Sequence, residues 1–330
     1  MRGSILLALP VLAASCGADA APPGPSATAL FVVPETLEEL AGERFFEHPF
    51  PSDLRREADG TLRFTGWPNP GANALLGAYV DAAAHLLDGA SPATPIYLRF
   101  SAPLDPASLP ATPPATLERS AAVQLVDVDP GSPERGTRRL VQLRLQATVV
   151  EGSYWHPNTL AVMPILGRPL RPRTRYALVV TTRARAAGGG AIERSLDLDE
   201  VLGLRPATAR TERARAIFAP AVAELERAGV AARDVVHATV LTTSDPTAEL
   251  FAIADDLKTG PAPSASGWSA KETTAEYDVY EGSYGPTPNF QIGTAPYTRP
   301  EDGGGFVIEG GKPKQAGTYD LRFALAVPWA

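Results

Sequence analysis

Between residues 95 and 182 the apolar residues recur at every second position, in short runs separated by prolines and glycines. That period puts alternate side chains on opposite faces of an extended chain, so these runs read as β-strands. "PIYLRFS" alternates at Ile96, Leu98 and Phe100. "AAVQLVDVD" and "LVQLRLQATVV" flank the Gly/Pro-rich "PGSPERGTRR", which reads as the connection of a long hairpin. In the second of these strands Val141, Leu143, Leu145, Ala147 and Val149 face one way, and Gln142, Arg144, Gln146 and Thr148 face the other. One face packed and one wet is the pattern of an antiparallel sheet. "LAVMPIL" and "RYALVVTT" add two strands, the latter almost wholly apolar and therefore expected at the centre. The 33 prolines in 330 residues, about twice the roughly 5% average, accompany many loops between short strands. The expected architecture is a β-sandwich, immunoglobulin-like in the loose sense.

Three helices interrupt this pattern. "NALLGAYVDAAAHLLDG" places Leu75, Leu76, Tyr79, Val80, Ala83, Leu86 and Leu87 on one face, with Asn73 as cap and Gly89 as terminator. Residues 208–229 carry helical spacing at Ile217, Val222, Leu225 and Ala228, with Pro220 inside and Gly229 behind. "SDPTAELFAIADDLK" has Asp245 as expected N-cap and a stripe at Leu250, Ile253 and Leu257. "DVVHATVLTT" between the last two reads as a strand. From residue 275 strands return, in "EYDVYEG", "GFVIEGG" and the closing "TYDLRFALAVPWA", where odd positions from Tyr319 to Val327 are apolar. No internal repeat appears.

The first residues have another purpose. "MRGSILLALPVLAASC" has a basic start at Arg2 and an apolar stretch from Ile5 to Ala14, too short for a permanent membrane span, so it reads as an export signal. Leu12-Ala13-Ala14-Ser15-Cys16 fits a lipobox, in which the cysteine is lipidated after cleavage. The alternative is an ordinary signal cut nearby. Cys16 is the single cysteine, so no intramolecular disulfide forms, and acyl chains there anchor the protein stably. Gly17 favours sorting to the outer membrane, and "GADAAPPGPSATA" reads as a tether. A formal net charge of −7 and scattered arginines argue against nucleic acid as a partner.

Catalytic motifs are sought without success. A nucleophile elbow needs G-x-S-x-G between strand and helix. The nearest stretch, Gly89-Ala90-Ser91-Pro92-Ala93, follows a helix, and Pro92 lacks the N–H that an oxyanion hole needs. Ser91 is read as part of a helix-ending loop. His85 lies beside Asp81 and Asp88 on a polar face and is expected in solvent. His48, in "FFEHPFPSDLR", is expected on an extended surface segment. His156, in "SYWHPN", lies near aromatics and is a candidate to line a cleft, while His237 is expected as a satisfied strand histidine. No zinc spacing appears. Asp127 and Asp129 in "DVDPGSPERG" read as turn residues in preference to calcium ligands. No catalytic residue, metal or cofactor is therefore assigned, and Cys16 stands as the lipidation site.

Several stretches together, "HPFPSDLR", "PIYLRFSAPLD", "VQLVDVDPGSPERG", "LRPRTRYALVVTT", "VVHATVLTTSDPTAEL" and "NFQIGTAPYTRPEDGGGFVIEGG", resemble the amino-terminal region of bacterial secreted α/β-hydrolases. The resemblance, over roughly residues 30–330, is to virulence-factor lipase and esterase lipoproteins with an immunoglobulin-like leader. It implies a mainly β chain with α+β elements, whose catalytic Ser, Asp and His all lie beyond residue 330. The expected organisation is a signal peptide (1–15), a tether (16–29), a β-sandwich with one helix (30–190), a helical linker with one strand (191–274) and the first strands of an incomplete α/β-hydrolase domain (275–330). "GFVIEGG" and "YDLRFALAVP" read as those strands, and the chain as stopping inside a domain. The function implied is the non-catalytic part of an exported, outer-membrane lipoprotein hydrolase. Its partners are the membrane through the lipid anchor and, through the missing domain, an ester or lipid substrate. The alternative, from a different class, is a complete surface lipoprotein that binds through its sandwich loops.

Overall fold

Period-two runs become strands and the 3.6-period runs become helices in the computed structural model, which describes residues 24–69, 71–150 and 156–329. Two units divide between Ser244 and Asp245. In chain order the first holds β1 (Ala27–Thr28), α1 (Ala74–Leu86), β2 (Ile96–Arg99), β3 (Val123–Asp127), β4 (Arg138–Arg139), β5 (Val141–Gln146), β6 (Thr159–Pro164), β7 (Arg175–Thr181), β8 (Ile192–Glu193), α2 (Leu196–Val201), α3 (Glu212–Arg227) and β9 (Val235–Thr242). The chain is β-rich, with several sheets.

Two antiparallel sheets organise the first unit, ordered β2-β6-β5 and β4-β3-β7-β9, beside a two-residue parallel pairing of β1 with β8. Ile96, Leu98, Leu160 and Val162 of the first sheet share a core with Leu125, Leu178 and Val180 of the second. The alternate residues of β7, Ala177 and Val179, enter a second core with Leu198 of α2 and Phe218 and Leu225 of α3. This explains the unbroken apolar run in "RYALVV". β7 is central between β3 and β9, and both its faces are covered, so neither set of side chains meets water. Each such leucine or valine contributes on the order of 2 kcal/mol by leaving water. On α3 the buried positions Ala214, Phe218, Ala221 and Leu225 form a stripe at i, i+4, i+7 and i+11. Gly229, at φ +88°, ends that helix in the left-handed region where glycine is favoured.

The structure differs from the sequence reading at named places. "PGSPERGTRR" does not connect a long hairpin. β3 pairs with β4 over two residues and with β7, whereas β5 belongs to the other sheet beside β6. The chain therefore crosses between sheets after Arg139. β5 stops at Gln146, and Val149 is 80% exposed. Residues 24–29 are not a free tether. Ala27 and Ala29 are buried, and the Ala27 and Ala29 N–H groups donate to Ala191 and Glu193 carbonyls. Nor do residues 191–244 form a linker, because β9 pairs with β7 along its length and α3 covers the same sheet. The boundary at 190 thus has no counterpart. Pairing between strands that are distant in the chain moves the first unit's limit to 244.

The second unit comprises α4 (Ala248–Thr259), β10 (Ser264–Thr273), β11 (Tyr277–Asn289), β12 (Ile308–Glu309), β13 (Lys312–Pro313) and β14 (Gly317–Pro328). β11 lies between β10 and β14 in an antiparallel sheet. "GFVIEGG" is not a strand of that sheet; only Ile308 and Glu309 are extended, and they pair with β13. β10 begins before residue 275 and escapes the sequence reading because "SASGWSAKET" shows no alternation. The N-cap of α4 is Thr247, and the Asp245 carboxylate accepts from the Thr247 N–H and hydroxyl one step earlier.

Candidate functional site

"HPFPSDLR" is where the sequence and the structure part most sharply. Every residue from His48 to Arg55 is buried. The backbone of Phe50 exchanges hydrogen bonds with Tyr97 on β2, at 2.8 and 3.3 Å, which straps the segment across the first unit. His48 is not on the surface, because its ring packs 4.8 Å from Phe31. Its Nδ1–H donates to the Val32 carbonyl at 2.9 Å, which leaves Nε2 to accept from the Ser52 hydroxyl, also at 2.9 Å. The pair has the distance of a nucleophile and its base. Ser52 is 1% exposed and His48 fully covered, so no substrate carbonyl reaches the hydroxyl. Desolvation, with the nearby Arg55 charge second, lowers the His48 pKa to about 3. A base so weak removes no proton at neutral pH.

Asp53 anchors the other end of the strap. Its Oδ1 accepts from the Thr242 N–H and its Oδ2 from the Thr242 hydroxyl, both at 2.7 Å, while Arg175 Nε stands 3.5 Å away. Burial raises the pKa of this carboxyl, against those partners. Arg55, 1% exposed, lays its guanidinium 4.1 Å from the centre of the Phe45 ring and donates to the Thr65 carbonyl at 2.9 Å. These groups hold the strap to β9 and to the aromatic cluster of Phe45, Phe46, Phe50 and Tyr97. They are structural.

The remaining candidates separate. His237 is the satisfied strand histidine expected of it: Nε2–H donates to the Arg99 carbonyl at 3.1 Å, and Nδ1 accepts the Ala238 N–H. Burial lowers its pKa to about 3. His85 is exposed, as expected. His156 is half-buried, and burial with the Arg99 charge lowers its pKa; residues 151–155 beside it lie outside those described. The Asp127 carboxylate accepts from Asp129 N–H and the Ser132 hydroxyl, and that of Asp129 accepts from Gly131 and Arg175 N–H groups. Turn chemistry thus occupies both side chains. Ser91 is exposed in a loop, its Oγ accepting from the Ala93 N–H. Among the described residues no group of three His, Cys, Asp or Glu is placed to hold a metal. Cys16 lies outside the described residues.

A different kind of site stands in the second unit. Register places Leu321, Phe323, Leu325 and Val327 of β14 opposite Tyr284, Gly282, Tyr280 and Asp278 of β11. Alternation puts them on one face. Trp268 joins from β10, its ring 4.8 Å from that of Phe323, and Tyr284 lies 6.3 Å from the same ring. A Cβ at Gly282 would meet Phe323 Cζ at 2.7 Å, so a side chain there would have to displace that ring. The alternate positions mix polar Glu281, Ser283 and Arg322 with Val279, Ala324 and Ala326; Ser269, Glu281, Arg322 and Phe323 help line a 420 Å³ concavity, and Lys271 donates to Glu281. Trp268 is 53% exposed, Leu325 44% and Val327 43%. Among the described residues, Phe290 is the one fully buried apolar side chain of this unit. A three-stranded sheet whose aromatic face has no layer upon it lacks the core that stabilises a domain. This face is the candidate functional surface.

No known protein family matches the chain, and no characterised protein matches it in sequence. Among solved structures, the N-terminal part of the bacterial S-layer protein SbsC is 18% identical, with a TM-score of 0.20, over 37% of this chain and 27% of that one. The chain thus spans little more than a quarter of that structure, and a superposition so poor carries no argument about fold or function.

Proposed function

We propose that this protein is the non-catalytic leader of an exported, lipid-anchored hydrolase of the lipase or esterase type. In this reading the first unit is an immunoglobulin-like sandwich and the second is the opening part of an α/β-hydrolase sheet. The observation that carries it is the aromatic face of β10, β11 and β14, which has one buried apolar residue in its unit where a domain needs a packed layer. In α/β-hydrolases helices cover both faces of the sheet, and helices from a catalytic region are the layer this face lacks. The buried His48–Ser52 pair supports the non-catalytic part of the reading, since among the described residues this approach to a nucleophile and base is sealed.

The test compares two polypeptides. Residues 17–330 are expected to leave p-nitrophenyl butyrate at background, and Ser91→Ala to change nothing. The same gene translated through its own stop codon is expected to turn the ester over. Turnover by 17–330 that Ser91→Ala abolishes defeats the non-catalytic reading. If the longer translation is inactive, and β14 amides in the 330-residue chain are already strongly protected from hydrogen exchange, a self-sufficient surface lipoprotein acting as a binding module takes its place. The anchor is tested separately. An alkyne fatty acid fed to expressing cells is expected to label the wild type and not Cys16→Ala, and equal labelling of the two removes the lipid anchor from the proposal.

A further inference from the structure

The first unit carries a second apolar surface, of a different character. Helix α1 reads Ala-Leu-Leu-Gly-Ala-Tyr-Val-Asp-Ala-Ala-Ala-His-Leu, with Asp81 as its one acidic residue, and none of its residues is buried. Leu75, Tyr79, Ala82 and Leu86 recur at i, i+4, i+7 and i+11 and so form one stripe. Leu75, Tyr79 and Leu86 are 65%, 66% and 79% exposed. A different side of the helix, at Gly77, Val80 and Ala84, lines a 540 Å³ cleft with Phe64 and Trp67. α1 is therefore apolar on two sides, and one of them is largely exposed.

What that stripe faces is indicated by its neighbour. Just past α1, Asp88 pairs with Arg173 at 3.3 Å, and the Pro92 carbonyl accepts the Leu170 N–H at 2.9 Å. These contacts place the turn between β6 and β7 beside the carboxyl-terminal end of the helix. At its tip Leu166 is 84% exposed, followed by Gly167 at φ +79°. Arg168, Arg171 and Arg173 follow, all exposed, with no acidic residue from Leu166 to Thr174. The base of the turn is held firmly: the Arg171 N–H donates to the Tyr176 hydroxyl at 3.0 Å, and the Thr243 hydroxyl to the Arg171 carbonyl at 2.5 Å. Arg173 is paired with Asp88, so in a chain of net charge −7 Arg168 and Arg171 supply the positive charge beside the exposed Leu166. Leucine and tyrosine enter the boundary between headgroups and acyl chains, while arginines beside them meet lipid phosphates. A protein partner needs no such pairing of an isolated leucine tip with the two guanidinium groups of Arg168 and Arg171.

We propose that the β6–β7 turn and the adjoining end of α1 dock on an anionic phospholipid surface, with Leu166 and Leu86 inserted and Arg168 and Arg171 on the phosphates. The contact is separate from any acyl chain at Cys16, and it fixes which side of the first unit lies against the membrane. The test uses the full chain with Cys16→Ser, so that a cysteine introduced as Leu166→Cys carries the single NBD fluorophore. A second version carries it at Ser120→Cys, beyond the opposite end of β7. Vesicles are phosphatidylcholine alone or with one quarter phosphatidylglycerol. The expected result is a blue shift and brightening at position 166 with the anionic vesicles, reversed by high salt, and none at position 120. Arg168→Gln with Arg171→Gln is expected to weaken partitioning about 30-fold at an unchanged melting temperature. An equal response at both positions, as binding through the amino-terminal apolar segment gives, overturns the proposal. So does equal partitioning into both kinds of vesicle without salt dependence. A shift at position 166 that grows with protein concentration in the absence of lipid overturns it too, and assigns the surface to a second copy of the chain.

Discussion

The first unit is expected to lose of order 5 kcal/mol of stability between pH 7 and pH 4.5, through two histidines. His48 and His237 are both fully buried, and both have pKa values lowered from 6.5 to about 3. Between those values the unfolded chain binds a proton at each histidine and the folded chain does not. Stability therefore rises with pH through the window and is fully present above about 6.5. At pH 4.5, two pH units below the unfolded value, each histidine has cost roughly 3 kcal/mol. Burial is the main reason, and the Arg55 charge adds to it at His48; with Nδ1–H on Val32 and Nε2–H on Arg99, the remaining ring nitrogens accept from Ser52 and from the Ala238 N–H. A second proton on His237 points at an N–H that has nothing to offer it. Asp53 and Asp127, whose carboxyl pKa values burial raises, act in the opposite sense as they take up protons on acidification and offset part of the loss. The measurement is urea unfolding at several pH values. His48→Asn and His237→Gln retain the donor hydrogen bonds and should each remove about half of the pH slope. A slope untouched by both substitutions would mean that other groups govern acid lability.

Asp53→Ala is expected to destabilise the first unit by about 3–5 kcal/mol at pH 7. The substitution leaves the Thr242 N–H and hydroxyl without an acceptor and Arg175 without its nearest anion, all beside a residue that is 8% exposed. It also removes one of the strap's ties to β9, leaving the Thr239 hydroxyl donating to the Pro51 carbonyl at 2.9 Å. Asp53→Asn keeps an acceptor for the Thr242 N–H and gives up only the charge, so its cost should be near 1–2 kcal/mol. The ratio between the two variants, read from urea midpoints, separates anchoring from charge pairing. An alanine variant within about 1 kcal/mol of wild type would show that the strap is held by Phe50 in the aromatic cluster instead.

Local chemistry was readable in the sequence wherever one element sufficed to express it. The alternation in "PIYLRFS" and "LVQLRLQ" marked β2 and β5, though β5 ended three residues before Val149. The even apolarity of "RYALVV" identified a central strand, because only a strand covered on both faces tolerates it. Asn73 caps α1 as expected, its side chain accepting from the Leu75 and Leu76 N–H groups. The apolar pattern of α1 was visible too, but periodicity does not say which apolar side finds a partner. Here the body takes Val80 and Ala84 and leaves Leu75, Tyr79 and Leu86 in water.

Long-range pairing lay beyond the sequence, and it decides the rest. Nothing near residue 48 announces that β9, almost two hundred residues later, supplies the partner for Asp53, so a proline-rich segment looked like surface and is buried. Likewise "PGSPERGTRR" has the composition of a hairpin loop. Whether its flanking strands pair depends on which sheet each can join, and β5 joins the other one. The single cysteine and its apolar leader, by contrast, speak only through sequence. What the amino acids determined alone is which segments extend, which coil and which faces are apolar, since those properties follow from residues a few positions apart. Which apolar faces are satisfied was settled only by tertiary structure, because burial depends on surfaces brought together from across the chain.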